Sequence, residues 1–511
     1  MTLRFLAPVV VGSAMFAGDW TTFSGDAQRT AWARNEQIIT KQNVGKMKLL
    51  WSLKLENTTH ELTSLTTPIV AVQLPTQKGF HDYVIVAGSS DVVYAVEADE
   101  GKIVWQRKLP LEGTPKVPQT DWLCPNALNA TPHIDKRNRT LYVLASDGRL
   151  HSLNIINGGD KAPPIRFVPP YAKTWSLNLL DGFLYTSVSQ GCNGVRSAVY
   201  AVNVDNPNHP VTSFISSPTG GAGIWGRAGV AITSEGKVVA ETGDGTYDAA
   251  QGKFTDSFLG LQAKTLKMID YYTPANRAWI TKKDLDMGNM SPIVFKFKDW
   301  ELVAGAGKEG VIYLLDAKKL GGEDHRTPLF RSPLYTNEDA DFASRGFWGS
   351  MATMTDSKGD VWLYAPAWGA QTSSSPKFPI TYDDTPHGSI MAFKLDVKDG
   401  KPVLVPAWRS RNLGVPEPPV VANGVVFVVS SGENTRQVNE KGGLYSSKER
   451  AEAPLGNAVL YALDAGTGKE LFSSGKTMKS FTHFGGVAVS DGRAYVTTWD
   501  NTVYAFSVPQ D

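Results

Sequence analysis

The stretch that decides the fold is VVYAVEADEGKIVW, residues 92–105. It combines an alternating strand with an aromatic-Ala pattern, an acidic turn that contains glycine, and a second strand that carries a tryptophan. The segment VLYALDAGTGKELF, residues 459–472, repeats the same order of strand, turn and strand. Two such copies near opposite ends of one chain indicate a repeat architecture rather than a series of unrelated domains.

Degenerate copies of this unit fill the rest of the chain, beginning near residues 150, 199, 259, 312, 390 and 502. Together they make eight units of roughly 45 to 65 residues, the size of propeller blades. The last copy, Thr502 to Val508, ends without an outermost strand, whereas Lys46 to Leu55 alternates like a strand and has no hairpin partner nearby. We therefore predict an all-β, eight-bladed β-propeller that is closed by pairing of this N-terminal strand with the last blade.

Composition excludes several classes of function. The 511 residues carry 51 Lys and Arg against 50 Asp and Glu, a net charge of +1 that argues against nucleic acid or an anionic membrane as partner. The 48 glycines, 30 prolines and 14 tryptophans are typical of short strands joined by tight turns. With only two cysteines, the chain holds neither a zinc-binding cysteine cluster nor a covalent c-type haem motif.

The N-terminus has the pattern of a signal peptide. Arg4 precedes an apolar run from Phe5 to Phe16, and small residues stand at Ala14 and Ala17, before Gly18. The run is too short to span a bilayer, and no other segment reaches that length. We expect residues 1–17 to be removed on export to the periplasm or the medium, leaving residues 18–511 as a single propeller domain. The alternative is an apolar N-terminal strand.

The pattern Ala-x-Asp-x-x-x-Gly-x-x-x-Trp resembles the tryptophan-docking motif of eight-bladed quinoprotein propellers, the alcohol dehydrogenase family that uses pyrroloquinoline quinone (PQQ). Its best copies are Glu97 to Trp105 and Asp464 to Phe472, and the likeness runs from Trp20 to Phe506. The resemblance implies a PQQ-dependent enzyme that oxidises an alcohol or related small substrate and passes electrons to an external acceptor such as a cytochrome c. A non-catalytic propeller that binds glycans or protein partners is the alternative, because fold alone does not fix chemistry.

Two segments of the sequence resemble the family's cofactor-binding and metal-binding segments. GGAGIWG looks like the family's segment that lays an indole under the quinone, which gives Trp225 the stacking role. ETGDGTYD looks like the metal loop, with Asp244 at the ligand position. A blade-packing tryptophan and a turn aspartate are the respective alternatives. The resemblance also implies that Asp286, with Asp284 as the nearby alternative, is the general base and a second ligand of the cation.

AGAGKEGVIYLLDA resembles the segment whose basic residue bonds the quinone oxygens, so Lys308 takes that role, or else is an exposed lysine of a hairpin turn. The openings of the inner strands bring further side chains toward one mouth of the ring: Asn129, Trp175, Arg227 and Trp348 as cofactor contacts, together with Asn178, Asn289, Trp368 and His483. Such a funnel suits sugars or aromatic ligands as well as PQQ. A propeller lyase or hydrolase is a further alternative, and Tyr247 with His483 is the only residue pair in the sequence that suggests it.

The cysteines depart from the family pattern. Active members often have two adjacent cysteines over the quinone and a glutamate that binds the metal, whereas here Cys124 stands alone and Cys192 takes the glutamate's place. If both segments keep their family locations, the two cysteines lie at one mouth of the ring and can form a disulfide. A thiolate is a poor ligand for calcium. The calcium or lanthanide site that the resemblance implies therefore has one hard ligand fewer here.

Overall fold

The structure is a computed structural model that describes residues 18–116, 123–434, 436, 438–441, 443 and 445–509. Within these residues, eight antiparallel sheets surround a central axis as an eight-bladed β-propeller, which confirms the predicted fold class. The predicted signal peptide, residues 1–17, lies outside the described residues. None of the described helices is long and apolar enough to cross a membrane.

Each blade has four main strands, which follow one another from the axis of the ring to its rim. Blade 1 contains Ile69–Thr76, Gly79–Gly88, Val92–Glu97 and Ile103–Lys108; blade 2 contains His133–Asp135, Thr140–Leu144, Arg149–Asn154 and Asp160–Arg166; blade 3 contains Asn178–Leu180, Phe183–Ser189, Ala198–Asn203 and Val211–Ile215; blade 4 contains Ala231–Ile232, Lys237–Glu241, Phe258–Gln262 and Met268–Tyr272.

The second half of the ring follows the same plan. Blade 5 contains Ile293–Phe297, Trp300–Ala306, Ile312–Asp316 and Phe330–Arg331; blade 6 contains Ala352–Thr355, Val361–Trp368, Gly388–Lys398 and Lys401–Arg409; blade 7 contains Val420–Ala422, Val425–Ser430, Val459–Asp464 and Glu470–Ser473; blade 8 contains Val487–Ser490, Arg493–Thr498, Thr502–Ser507 and Lys48–Lys54. Short strands are Trp32–Ala33, Lys173–Thr174, Met290–Ser291, Gly346–Phe347, Gly349–Ser350 and Ile380–Thr381; the helices are Arg277–Lys282 and Ser447–Glu452, with 3-10 turns at Val44–Lys46, Cys192–Gly194, Ala249–Gln251 and Gly322–Asp324.

Burial of the strands follows their distance from the axis. The second strands of blades 6 and 7, Val361–Trp368 and Val425–Ser430, are buried along their whole length because sheets of the neighbouring blades cover both of their faces. The outermost strand Lys48–Lys54 instead buries only Trp51, and its other residues face solvent at least in part. Long apolar runs therefore mark central strands, and alternating segments mark the rim.

Tryptophans of outer strands dock onto the glycine turn of the next blade. The indole Nε1 of Trp105 in blade 1 donates to the Ile155 carbonyl of blade 2 at 2.9 Å. Its ring lies on Gly158, where φ is +70° and an added Cβ would stand 2.6 Å from the ring. Trp408 of blade 6 makes the same contact with blade 7, donating to the Ala465 carbonyl at 2.9 Å. The docking pattern seen in the sequence is thus an inter-blade contact.

The ring closes as predicted, between the two ends of the described chain. Strand Lys48–Lys54 pairs antiparallel with Thr502–Ser507, with Leu53 opposite Val503. Trp51 of this strand donates from Nε1 to the Ala98 carbonyl of blade 1 at 2.8 Å, so the closing strand is also docked onto the next blade. Pairing of the two ends covers the sheet edge that the last blade would otherwise expose.

The segment from residue 18 to residue 33 fills one end of the central axis and touches every blade in turn. Backbone N–H groups of the inner strands donate to its carbonyls: Val70 to Trp20, Ile134 to Thr21, Ile232 to Ala27, Val294 to Gln28, Thr353 to Thr30 and Val421 to Ala31, at 2.8 to 3.0 Å. The Thr22 hydroxyl donates to Leu177 of blade 3, and the Ser490 hydroxyl of blade 8 donates to Gly18. We call residues 18–33 the axial segment.

Candidate functional site

A pocket of about 620 Å³ lies at the end of the axis away from the axial segment. The inner chain of blade 4 shows the order along the axis: Trp225 lines the pocket, Arg227 lines a small chamber of about 30 Å³ beneath it, and Ile232 is bonded to Ala27 of the axial segment. Phe23 of the axial segment also lines the chamber. The axial segment therefore closes the channel below the site, and the pocket is its open end.

One wall of the pocket holds a lysine among carboxylates from blades 4 and 5. Lys308 Nζ lies 2.6 Å from Asp286 Oδ2 and 3.5 Å from Asp284 Oδ1. The second oxygen of Asp286 accepts the Asp244 backbone N–H at 2.9 Å. One ligand atom from each of the three aspartates lies within 4.8 Å of the others, the spacing that a single cation requires. Gly243 permits this approach, because an added Cβ there would stand 2.6 Å from Asp286.

The charges in this wall are strongly interdependent. Burial opposes ionisation of Asp286, but the Lys308 ammonium outweighs it and holds the pKa of Asp286 below its usual value. Burial and the neighbouring carboxylates act together on Asp284, whose pKa is raised to about 6 although Lys308 opposes the shift. Burial and the Asp286 charge raise the pKa of Asp244 in the same way. Asp286 is thus the carboxylate held as an anion, and Asp284 is the more readily protonated.

Four tryptophans line the pocket, and three of them pack against one another. Trp225 packs edge-on against Trp348, with ring centroids 5.6 Å apart, and Trp348 stacks on Trp368 at 4.3 Å. Lys308 Nζ lies 5.5 Å from the ring centroids of both Trp225 and Trp348, a distance at which a cation interacts with the aromatic face. Trp175 lies in the wall from blade 3 and donates its Nε1 proton to Ser189 Oγ at 2.8 Å.

The opposite wall contains a buried acid between two basic side chains. Glu433 accepts from Arg450 Nη2 at 2.7 Å and lies 2.7 Å from His483 Nδ1. Phe484 stacks on the His483 ring with centroids 3.8 Å apart. Arg450, His483 and Phe484 line the pocket. The pocket thus has a polar group on each of two facing sides, separated by aromatic rings.

Other residues predicted for the funnel lie deeper. Arg227 is ion-paired with Glu417 and covers the Phe484 ring at 3.7 Å, so it lines the chamber and not the pocket. Asn129 also lines the chamber and donates to the Thr174 carbonyl. Asn178 and Asn289 donate to backbone carbonyls of neighbouring segments. Trp225, Trp175, Trp348, Trp368, His483, Lys308, Asp244, Asp284 and Asp286 are the predicted side chains that meet in the pocket.

The predicted disulfide is present and lies at the rim. Cys124 and Cys192 are bonded, with their Cα atoms 5.4 Å apart. Leu123, Gly191 and Gly194 beside them line the pocket. The bond ties the segment that follows blade 1 to the loop of blade 3, and Cys192 is therefore not available as a metal ligand.

Several residues of the site were missed by the sequence analysis: Asp256, Phe342, Glu417, Glu433 and Arg450. Asp256 is buried behind the aspartates, and its pKa is raised to about 8 by burial and by the Asp286 charge. Nothing in its local pattern distinguishes it from a turn aspartate. A sequence pattern could have pointed to the helix that carries Arg450. Ser446 and Glu449 form its capping box, a pattern that predicts the start of a helix.

The residues present fit a flat, anionic cofactor and a hard cation. Trp225 offers an aromatic surface, and Lys173, Arg196 and Lys308 supply positive charge around the pocket. Three aspartates offer oxygen ligands within reach of one ion, which suits calcium or a lanthanide by ligand type. Cys192 stands where the resemblance implies a metal-binding glutamate, so Asp244, Asp284 and Asp286 are the carboxylates that the described part of the chain brings together for a cation.

The comparisons with known proteins agree with this architecture. The family model described as glucose/ethanol/alcohol dehydrogenase PQQ, β-propeller domain, matches residues 20–162. No curated protein was found to match the chain in sequence. Among solved structures, quinohemoprotein alcohol dehydrogenase ADHIIG from Pseudomonas putida HK5 is 16% identical, with a TM-score of 0.60, over 96% of this chain and 80% of its own.

Two further structures have the same fold. Quinohemoprotein alcohol dehydrogenase from Comamonas testosteroni is 16% identical with a TM-score of 0.56, covering 97% of this chain and 82% of its own. A europium-containing methanol dehydrogenase is 14% identical with a TM-score of 0.61, covering 96% and 98%. The family match over residues 20–162 and these likenesses agree with the resemblance to PQQ-dependent propellers; at such identities the solved structures show the β-propeller fold alone and leave the chemistry to the site.

Proposed function

We propose that this PQQ-like propeller is a quinoprotein that oxidises an alcohol or related small substrate and passes electrons to an external acceptor such as a cytochrome c. The observation that carries the proposal is the meeting, in one pocket, of Trp225, Lys308 and three aspartates. PQQ, when bound, supplies the two-electron oxidising capacity. Trp225 supports its ring, Lys308 binds its oxygens, and Asp244, Asp284 and Asp286 hold the cation.

Among the three aspartates, Asp284 is the base that accepts the proton of the substrate hydroxyl in this proposal. Both oxygens of Asp286 already accept N–H groups, from Asp244 and from Lys308. The Asp284 side chain keeps half of its surface exposed and is therefore open to a substrate. Asp286, the base that the resemblance implied, is in this assignment the fixed anion that orients Lys308. It stays the alternative base.

The test is titration of the purified protein with PQQ, alone and with calcium or lanthanum, followed by dye-coupled alcohol oxidation. We expect saturable binding and metal-dependent dye reduction. Trp225→Ala should lose PQQ retention with little change in folding, because Trp225 is partly exposed at a loop. Asp244→Ala removes one oxygen ligand, so it should weaken the metal dependence and leave PQQ binding measurable.

Absence of PQQ binding with every metal would refute this function. It would favour the second candidate, a non-catalytic propeller that binds glycans or protein partners. One observation supports that candidate: Cys192 is held in a disulfide at the place where the family has a metal-binding glutamate.

Export is part of the same proposal. A disulfide forms and persists in oxidising compartments, which agrees with removal of residues 1–17 as a signal peptide and with residues 18–511 forming one mature domain. The mass of the mature protein recovered from a periplasmic or secreted fraction tests it. A mass that retains residues 1–17 would contradict the predicted cleavage.

A further inference from the structure

His483 has a fixed orientation on the pocket wall that the proposed chemistry does not use. Its Nδ1 lies 2.7 Å from Glu433 Oε2, and Phe484 stacks on its ring. Glu433 is 1% exposed, and although burial opposes its ionisation, the Arg450 charge and the hydrogen bond from His483 hold its pKa below the usual value. An ionised carboxylate only accepts hydrogen bonds, so the proton of the imidazole is on Nδ1.

The other ring nitrogen is therefore an acceptor. Burial lowers the pKa of His483 against the charge of Glu433, so the imidazole is neutral and Nε2 carries a lone pair. Nδ1 faces the buried Glu433, and the side chain as a whole is 8% exposed. His483 lines both the pocket and the chamber beneath it, so the ring edge that carries Nε2 is the one left for a ligand.

Three of the tryptophans that line the pocket have no N–H group left for a ligand's hydroxyl group. The indole N–H groups of Trp175, Trp348 and Trp368 are donated to Ser189, Arg345 and Pro416 of the protein. These three side chains therefore present carbon surface to the pocket. A ligand that spans the pocket would meet the Asp284 and Lys308 wall at one end, aromatic surface in the middle and His483 at the other end.

We propose that His483 accepts a hydrogen bond from a second hydroxyl group of the substrate, so that the pocket selects diols and longer polyols over mono-alcohols of the same length. The proposal rests on the proposed function, which places the reacting hydroxyl at Asp284. His483 is the specificity-determining residue and Glu433 positions it. A mono-alcohol presents a methyl group to this acceptor in place of a hydroxyl group, and the unmade hydrogen bond lowers kcat/KM.

The experiment compares kcat/KM for matched pairs, such as pentane-1,5-diol and pentan-1-ol, with the PQQ-reconstituted protein, across a series of chain lengths. After allowance for the two equivalent hydroxyls of a diol, we expect a five- to tenfold preference, roughly the effect of one neutral hydrogen bond. His483→Asn keeps a donor toward Glu433 and removes the outer acceptor, so the preference should fall to about one. His483→Gln, whose amide reaches the position of Nε2, should keep part of it.

His209→Asn, at a surface loop of blade 3, is the matched control and should keep the wild-type ratio. The proposal is overturned if His483→Asn retains the preference, or if the wild-type protein prefers no diol of any length.

A second measurement separates this proposal from the proposed function. Nitrogen-15 spectra of the histidine rings, with His483 assigned from its loss in His483→Asn, should show an unprotonated Nε2 whose resonance shifts when a diol is added and not when the mono-alcohol is added. If no alcohol is oxidised but the shift occurs, the oxidation proposal fails and the diol site stands. If the spectra show a proton on Nε2 of His483, or if the Nε2 resonance does not shift when the diol is added, the diol site is refuted.

Discussion

Lys308 neutralises carboxylates that would otherwise repel one another. The Lys308 side chain is 6% exposed, and the Asp286 side chain beside it is 9% exposed. We expect Lys308→Met to lower the free energy of unfolding by about 3–5 kcal/mol, because removal of one partner leaves a buried charge uncompensated. Denaturant unfolding of the apoprotein measures this difference in the free energy of unfolding.

The double variant Lys308→Met with Asp286→Asn tests whether the loss comes from the pair. We expect it to be more stable than Lys308→Met alone, since the buried charge is then removed together with its partner. Losses that simply add would show that the two groups act independently. Lys296→Met, at an exposed position of blade 5, controls for the general effect of replacing a lysine.

His133 links stability to pH. Burial, with a smaller effect of the Arg29 charge, lowers its pKa to about 3, against 6.5 in the unfolded chain. The fold therefore excludes a proton that the unfolded chain binds below pH 6.5. This contribution to stability is fully present above pH 6.5 and decreases by up to about 1.4 kcal/mol per pH unit as the pH falls toward 3.

The measurement is the free energy of unfolding between pH 7 and pH 4 for the wild-type protein and for His133→Asn. Other groups titrate in this range, so the difference between the two slopes isolates His133. We expect a flatter dependence in the variant. Equal slopes would show that His133 is protonated in the folded protein.

At the scale of elements, Arg29 anchors the axial segment. The fully buried guanidinium donates to the carbonyls of Phe23, Leu177 and Val230, at 2.8 to 3.1 Å, and to the Thr22 hydroxyl. Leu177 and Val230 belong to blades 3 and 4. We expect Arg29→Met to cost at least about 3 kcal/mol, because three buried carbonyls lose a donor.

Hydrogen exchange gives this prediction a specific signature. The amides of Ile134, Ile232, Val294, Thr353 and Val421 donate to the axial segment from five different blades, so they should exchange faster together in Arg29→Met. Arg34→Met is the control, since Arg34 is half-exposed and its ion pair with Asp26 is 3.7 Å long, and it should cost less than about 1 kcal/mol. Faster exchange in one blade alone would contradict a shared anchor.

Replacing the glycine of a docking turn should lower the free energy of unfolding by a measurable amount. Gly158 has φ +70° and lies under Trp105, whereas Gly400 has φ +73° and no described atom within 4 Å of an added Cβ. Gly400→Ala should cost about 1–2 kcal/mol for the left-handed backbone alone. Gly158→Ala should cost a further 1–3 kcal/mol or so, because the methyl group collides with the ring. Equal losses in thermal or denaturant unfolding would show that docking adds nothing.

Elements were predictable from the sequence because each depends on nearby residues. The strand, turn and tryptophan of residues 92–105 lie within one short stretch, and their partners in the next blade follow the same pattern. The role of residues 18–33 was not predictable, since their turn-rich sequence has no period and their partners are spread over all eight blades. Glu433 and Asp256 could not be predicted for the same reason. Each is buried beside charged groups that are distant in the chain.

At the scale of the whole molecule, the ring brings these distant groups together. Asp244 and Lys308 come from blades 4 and 5, whereas His483 comes from the entry to blade 8 across the axis. Local resemblance in the sequence was enough to predict Trp225, Asp286 and Lys308 as site residues. It could not show that Arg227 lines the chamber below or that Glu433 hydrogen-bonds His483. Any loosening of the ring should change the separation of the two pocket walls.

Ring closure depends on one docked strand, and Trp51 is its anchor. The side chain is buried, donates to Ala98 of blade 1 and covers Gly101. We expect Trp51→Ala to lower the free energy of unfolding by about 3–5 kcal/mol, the usual cost of removing a large buried ring. Leu49→Ala, on the same strand but 42% exposed, should cost less than about 1 kcal/mol. Limited proteolysis should cut near residues 48–54 sooner in Trp51→Ala than in Leu49→Ala, because the closing strand separates from Thr502–Ser507 more often. Equal cutting of the two variants would show that the ring opens elsewhere.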